Sequence, residues 1–199
     1  MPSSKPNIGF TKEGICDACL FHRKKNNIQK GINWTRRKKE FDLLIKKIKR
    51  KKSVLFDAAV PVSGGKDSIT QVHYLLKKGL RVLAINIDYG FKTPIGRYNW
   101  DLIPKMGASL ITFRPNLKIH KKILKISFVK YGDPDLMSHC MLHALPIRIA
   151  IDLRIPLILL GENSAFEYSG EKGYSEKKMS HKWFDKYASV SNLTPDKFS

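Results

Sequence analysis

Apolar positions along this chain follow two periods in turn. Four short runs are apolar almost residue by residue: VLFDAAVPV at 54–62, RVLAINID at 81–88, SLITF at 109–113 and PLILLG at 156–161. Runs of this length without a polar face predict strands buried on both sides. Between them the spacing turns helical. Ile69, Val72 and Leu76 mark one face of DSITQVHYLLKKG at 67–79, and Gly79 stands where a helix end wants a left-handed residue. Residues 96–106 read as a helix that stops at Gly107, 117–131 as another, and 136–153 as a third that Pro146 should kink or split. Ahead of the first strand, Phe41, Leu44, Ile45 and Ile48 form one apolar stripe on an otherwise cationic helix at 34–52. Strands alternating with helices predict an α/β fold, a parallel sheet covered by helices on both faces. Residues 1–33, carrying Pro2, Pro6, Gly9, Gly14 and Gly31, read as a loop-rich segment, 53–170 as the main domain, and 171–199 as a polar tail of unassigned role.

Composition narrows the class. Hydrophobic residues make up 42% of the 199, enough for a packed core. No run approaches the roughly 20 apolar residues that span a bilayer. MPSSKPNIGF at the start lacks the apolar stretch of a signal peptide, so a cytoplasmic protein is expected. The net charge is +20, and residues 23–52 hold fourteen Lys and Arg against Glu40 and Asp42. That stripe can follow a nucleic-acid backbone or simply cover solvated helix faces. Without interleaved stacking aromatics the solvated face is the preferred reading, with nucleic acid left open as a partner.

Candidate chemistry concentrates in PVSGGKDS at 61–68, where the first strand meets the next helix. In an open parallel sheet this is the ligand-binding edge. Gly64 and Gly65 let the backbone curl close to an anion, successive N–H groups form a nest, and the helix start adds its positive end. Ser63 and Ser68 supply hydroxyls and Lys66 a charge. Asp67 would repel phosphate unless Mg²⁺ lies between them. The loop is not a Walker A motif, which needs Ser or Thr directly after Gly-Lys, nor a GxGxxG turn.

SGGKDS resembles the signature of the PP-loop, or N-type, ATP pyrophosphatases. GICDACLFHRKK at 14–25, INIDYGF at 85–91 and LGENSAFEYSG at 160–170 narrow the likeness to the N-acetyl sugar amidotransferases of lipopolysaccharide O-antigen and related surface-glycan synthesis, over residues 2 to 170. The resemblance implies an adenine-nucleotide α-hydrolase-like sheet that cleaves ATP to AMP and pyrophosphate. It implies that a nucleotide-linked N-acetyl sugar is the substrate, its acetamido group becoming acetamidino, with ammonia delivered by a glutaminase and synthase pair. Ser63, Gly64, Gly65, Lys66, Asp67 and Ser68 would bind ATP, Asp67 holding Mg²⁺. Asp88 and Gly90 would lie near the adenosine, and Gly161, Glu162 and Asn163 would line the reacting end. Asp67, Lys66 and Glu162 are the residues expected to act in catalysis. Family members carry a first CxxC ahead of the second, as a four-cysteine zinc knuckle, and are longer, so this chain is expected to be a fragment or split gene product. Cys16 and Cys19 read either as two zinc ligands, with His22 as a third, or as a reduced pair in a turn.

Cys140, on one helix with His143, reads as a buried cysteine rather than a nucleophile. His120, His139 and His181 have no metal-binding companions, and Trp34 and Trp100 read as packing residues. Two alternatives stay open beside the amidotransferase: a tRNA-modifying PP-loop ATPase of the thiolation or lysidine type, favoured by the basic stripe, and a truncated nucleotide-binding module without activity.

Overall fold

A computed structural model describes residues 9–49 and 54–162. The elements run α1 (Asp17–Lys30), α2 (Trp34–Lys49), β1 (Ala58–Pro61), α3 (Lys66–Lys77), β2 (Val82–Ile87), α4 (Pro94–Lys105), β3 (Ser109–Phe113), α5 (Leu117–Tyr131) and α6 (Leu136–Asp152). β1 pairs in parallel with β2, and β2 with β3. Alternate residues of each strand feed opposite layers. Val60, Val62, Val82 and Ala84 pack with Val72 and Leu75 of α3, Trp100 and Ile103 of α4, and Ile45 and Ile48 of α2. Ala59, Leu83 and Ile85 pack on the other side against Ile149 and Ala150 of α6 and Ile155. The expected α/β class, with a parallel sheet flanked by helices, is the one observed.

The fourth run joins the sheet through a single parallel bridge, Ala59 to Ile158. Ala59 N–H donates to the Leu157 carbonyl at 2.8 Å, and Leu159 N–H donates to the Ala59 carbonyl at 3.0 Å. Ala58 N–H instead reaches Arg81 beside β2. Neighbouring residues of a strand point their N–H groups to opposite sides, so the 158 segment lies on the other edge of β1. The chain therefore walks outward from β1 to β3 and then returns to the far side of β1. That reversal is a topological switch point, and its crevice opens at the carboxyl ends of β1 and the 158 segment.

Five expectations need correction. The loop reading of 1–33 fails at 17–30, which form α1. Glycines 14 and 31 bound this stretch rather than interrupt it, and its interior is rich in straight-chain helix formers. β3 is not buried on both faces: it is the sheet's edge, with Ile111 and Phe113 39% and 40% exposed. Pro146 does not split its helix, since α6 runs across it, and burial of Leu136, Pro146 and Ala150 offsets the missing N–H donor. Trp34 is exposed rather than packed, and Leu44 sits outside the buried part of its stripe. The tail at 171–199, His181 and residues 50–52 of the basic helix lie outside the described residues.

Candidate functional site

The loop after β1 is shaped by its two glycines. Gly64 has φ +87°, and a Cβ there would stand 2.8 Å from the Gly96 carbonyl oxygen of α4 and 3.0 Å from Trp100 Nε1. Only glycine fits that approach. Gly65 is the N-cap of α3, in extended conformation, and offers no side chain to the first amides of the helix. Those amides are the ones a helix cannot satisfy internally, so they face the loop with the positive end of the dipole behind them. Ser68 is buried and donates through Oγ to the Gly65 carbonyl at 3.0 Å, so its hydroxyl braces the turn rather than lying open to a ligand. Gly65 N–H donates to Ser63 Oγ at 3.3 Å. Lys66 Nζ and the Asp67 carboxylate pair at 2.7 Å with side chains 86% and 69% exposed, both facing solvent beside the amides.

The turn after β2 is closed. Asp88 is 1% exposed, and its Oδ1 accepts from Gly90 N–H at 3.0 Å. Its Oδ2 accepts from Arg114 Nε and Nη2 and from Lys92 Nζ, the last at 3.1 Å. Burial pushes its carboxyl up, but Arg114, the Gly90 N–H and Lys92 outweigh that and hold it at about 2. Lys92 also lies 3.6 Å from the centre of the Trp100 ring. Asp88 and Gly90 thus sit one strand away from the loop, with both carboxylate oxygens of Asp88 already engaged.

Across the switch point, Gly161 and Glu162 are exposed at the end of the 158 segment, and Gln71 Nε2 of α3 ties that end down by donating to the Leu160 carbonyl at 2.9 Å. Gln71 Oε1 is buried without a partner. Asn163 lies outside the described residues. Burial and the charge of His139 lower the basicity of His143, while Glu162 acts in the opposite sense, so the carboxylate and the imidazole feel each other across this edge. Burial raises the Tyr89 hydroxyl to about 12 against its bond to the Ser138 carbonyl. Cys140 is exposed, against the buried cysteine expected from the sequence, although the protein around its thiol still raises its pKa. A thiol held protonated is a weak nucleophile. His120 is buried, stacked on Tyr89 with ring centres 5.1 Å apart.

Cys16 is the buried N-cap residue of α1, and Cys19 is exposed in the first turn. The Cys19 backbone N–H and thiol bond to the Cys16 sulfur, lowering its pKa and raising that of Cys19. His22 Nε2 instead meets Asn26 at 3.3 Å. Among the described residues no group of three or more His, Cys, Asp and Glu is placed to hold a metal ion, so these residues do not supply a zinc ligand set. An Mg²⁺ that bridges phosphates needs less, one or two carboxylates beside the substrate, and exposed Asp67 fits that demand.

Asn99, Arg114 and Gln71 escaped the sequence because their contacts with the loop, with Asp88 and with Leu160 are long-range. Trp100 packs as expected, and Lys92, four residues from Asp88, was not singled out. One local signal was there: Gly96, a glycine in the first turn of α4, reads as a packing contact wherever a helix carries one without need.

A doubly wound α/β sheet with an uncapped helix start at its switch point is the class that fold and site define. No family model matches the chain, and no curated protein matches it in sequence. Among solved structures it is similar to the NMN synthetase from Francisella tularensis, at TM-score 0.47 and 13% identity over 81% of this chain and 73% of that one. It is similar also to the NH3-dependent NAD synthetase from Campylobacter jejuni subsp. jejuni NCTC 11168, at TM-score 0.47 and 14% identity over 70% of this chain and 61% of that one. A predicted subunit of tRNA methyltransferase from Methanocaldococcus jannaschii DSM follows at TM-score 0.40 and 20% identity, over 71% of this chain and 67% of that one.

Proposed function

We propose that this chain is a PP-loop ATP pyrophosphatase of the sugar amidotransferase type, converting the acetamido group of a nucleotide-linked N-acetyl sugar to acetamidino. The observation that carries the reading is the SGGKDS loop: Gly64 pressed against α4, an uncapped helix start at Gly65, and an exposed carboxylate, all at the switch point of a parallel sheet. The likeness of 14–25, 85–91 and 160–170 to the sugar amidotransferases supports the finer assignment.

In this reading the amides of Lys66, Asp67 and Ser68 and the Lys66 ammonium bind the β and γ phosphates. Asp67 would hold an Mg²⁺, which would supply screening of the charge that develops on the leaving pyrophosphate. The acetamido oxygen attacks the α phosphorus and pyrophosphate departs. Ammonia from a glutaminase and synthase pair then adds to the activated carbon and loses a proton, and AMP leaves with the oxygen. In the same reading Glu162, whose charge raises the basicity of His143, orients the ammonia or accepts that proton. An amide carbon is a poor electrophile, and adenylation supplies the missing leaving group.

The test is to incubate the protein with ATP, Mg²⁺, ammonium and nucleotide-linked N-acetyl sugars, then separate nucleotides and weigh the sugar. AMP together with a sugar about one mass unit lighter supports the proposal; ADP overturns it. A second reading, tRNA modification, is favoured by one observation. Arg36 and Arg37 side chains are 78% and 68% exposed on α2, whose Trp34 is 65% exposed beside them. AMP formed only when tRNA is added would select it.

A further inference from the structure

We infer that Asn99 is a positioning residue for the phosphate loop, setting the orientation of the Gly64–Gly65 peptide from helix α4, outside the motif. The inference rests on the reading of 63–68 as a pyrophosphate site and names what keeps that site in a receiving shape.

Asn99 Nδ2 donates to the Gly64 carbonyl at 2.7 Å. On the other edge of the same peptide, Gly65 N–H donates to Ser63 Oγ at 3.3 Å. The peptide is planar and trans, so its C=O and N–H point in opposite directions and fixing one edge fixes the other. The bond to Asn99 is short, and the bond to Ser63 is near the limit of the interaction. An arriving phosphate oxygen therefore takes the Gly65 N–H from Ser63 at small cost, while Asn99 keeps the peptide from turning. Without that anchor a peptide between two glycines rotates readily, and the rotated form turns the carbonyl oxygen, not the N–H, toward the anion.

Three positions of α4 meet the loop together. The Gly96 carbonyl lies 2.8 Å from where a Gly64 Cβ would stand, and Trp100 Nε1 lies 3.0 Å from it. Trp100 is 8% exposed and its Nε1 has no hydrogen-bond partner, so the indole holds the helix in place by packing. Asn99 is the residue of this contact that makes a directional bond to the loop. It is half-buried in the middle of a helix, where alanine is well tolerated by the backbone.

The test is calorimetric titration of inorganic pyrophosphate and of Mg-ATP into the wild-type protein, Asn99→Ala and Asn99→Gln, with thermal midpoints in the absence of ligand. We expect Asn99→Ala to bind both ligands about tenfold more weakly, the size of one lost hydrogen bond, with its midpoint unchanged, and Asn99→Gln to recover most of the affinity. Wild-type affinity in Asn99→Ala overturns the inference and leaves the pyrophosphate reading standing. Failure of Asn99→Gln to recover affinity, with its midpoint intact, also overturns it. No pyrophosphate or ATP binding by the wild-type protein overturns the reading itself.

Discussion

The loop after β1 and the turn after β2 leave neighbouring parallel strands at the same end of the sheet. Each carries a glycine of positive φ and an aspartate. In the first, the backbone is held rigidly while the charged side chains stay free of it: Gly64 is wedged against Gly96, and Lys66 and Asp67 stand in solvent. In the second, the charge is what is held: Asp88 is buried under Arg114, Lys92 and Gly90 N–H. Its Gly90 has more room, with Leu117 Cδ1 no nearer than 3.7 Å to an added Cβ. The difference separates an open loop from a closed turn. The amides left uncapped at the start of α3 are available to a ligand and the solvent-exposed Lys66–Asp67 pair is easily parted, whereas Asp88, buried with both oxygens engaged, stabilises the fold and has little left to give.

The contrast breaks most visibly at the glycines. Gly64→Ala meets both a left-handed backbone and a carbonyl at 2.8 Å, and it should cost about 3 kcal/mol of stability together with ATP binding. Gly90→Ala should cost only about 1 kcal/mol, from backbone strain alone. Denaturant midpoints of the two variants measure the gap, and equal losses would erase the distinction. Asp88→Asn leaves Lys92 and Arg114 without their buried counter-charge and should cost about 3 kcal/mol in the same measurement.

Acid should tell the same story. Asp88 has a folded-state pKa held at about 2, below its unfolded value near 4. Its contribution is complete above about pH 4 and is lost as pH falls through 4 toward 2. A stability profile of the wild-type protein should drop across that window, and Asp88→Asn should drop less. Smallest in stability, and sharpest in function, is Asp67→Ala. Its side chain is 69% exposed, so the thermal midpoint should not move, while the gain in ATP affinity on adding Mg²⁺ should fall about tenfold. An undiminished Mg²⁺ effect would remove Asp67 from the metal site.

Much of the scaffold was written locally. The apolar runs at 54–62 and 81–88 contain the two buried strands, 58–61 and 82–87, and Gly79 takes the left-handed conformation its position demanded. The loop at 63–68 was legible because its glycines and hydroxyls are consecutive in sequence. What stayed hidden depends on partners far along the chain. Leu75, not Leu76, joins Val72 as a fully buried residue of α3, and nothing local in the sequence separates the two leucines. β3 has the letters of a buried strand but lies at an edge, and nothing within SLITF says which neighbours it lacks. Asp88 looked free for adenosine until Arg114, 26 residues on, came back to cover it.

Phosphate binding at the open loop is tested most directly by titrating Mg-ATP and following the backbone amides by NMR. The largest shifts are expected at the amides of Gly65, Lys66, Asp67 and Ser68, with those of Tyr89 and Gly90 moving little. Saturable shifts centred on 88–92, with the 63–68 amides unmoved, would contradict it.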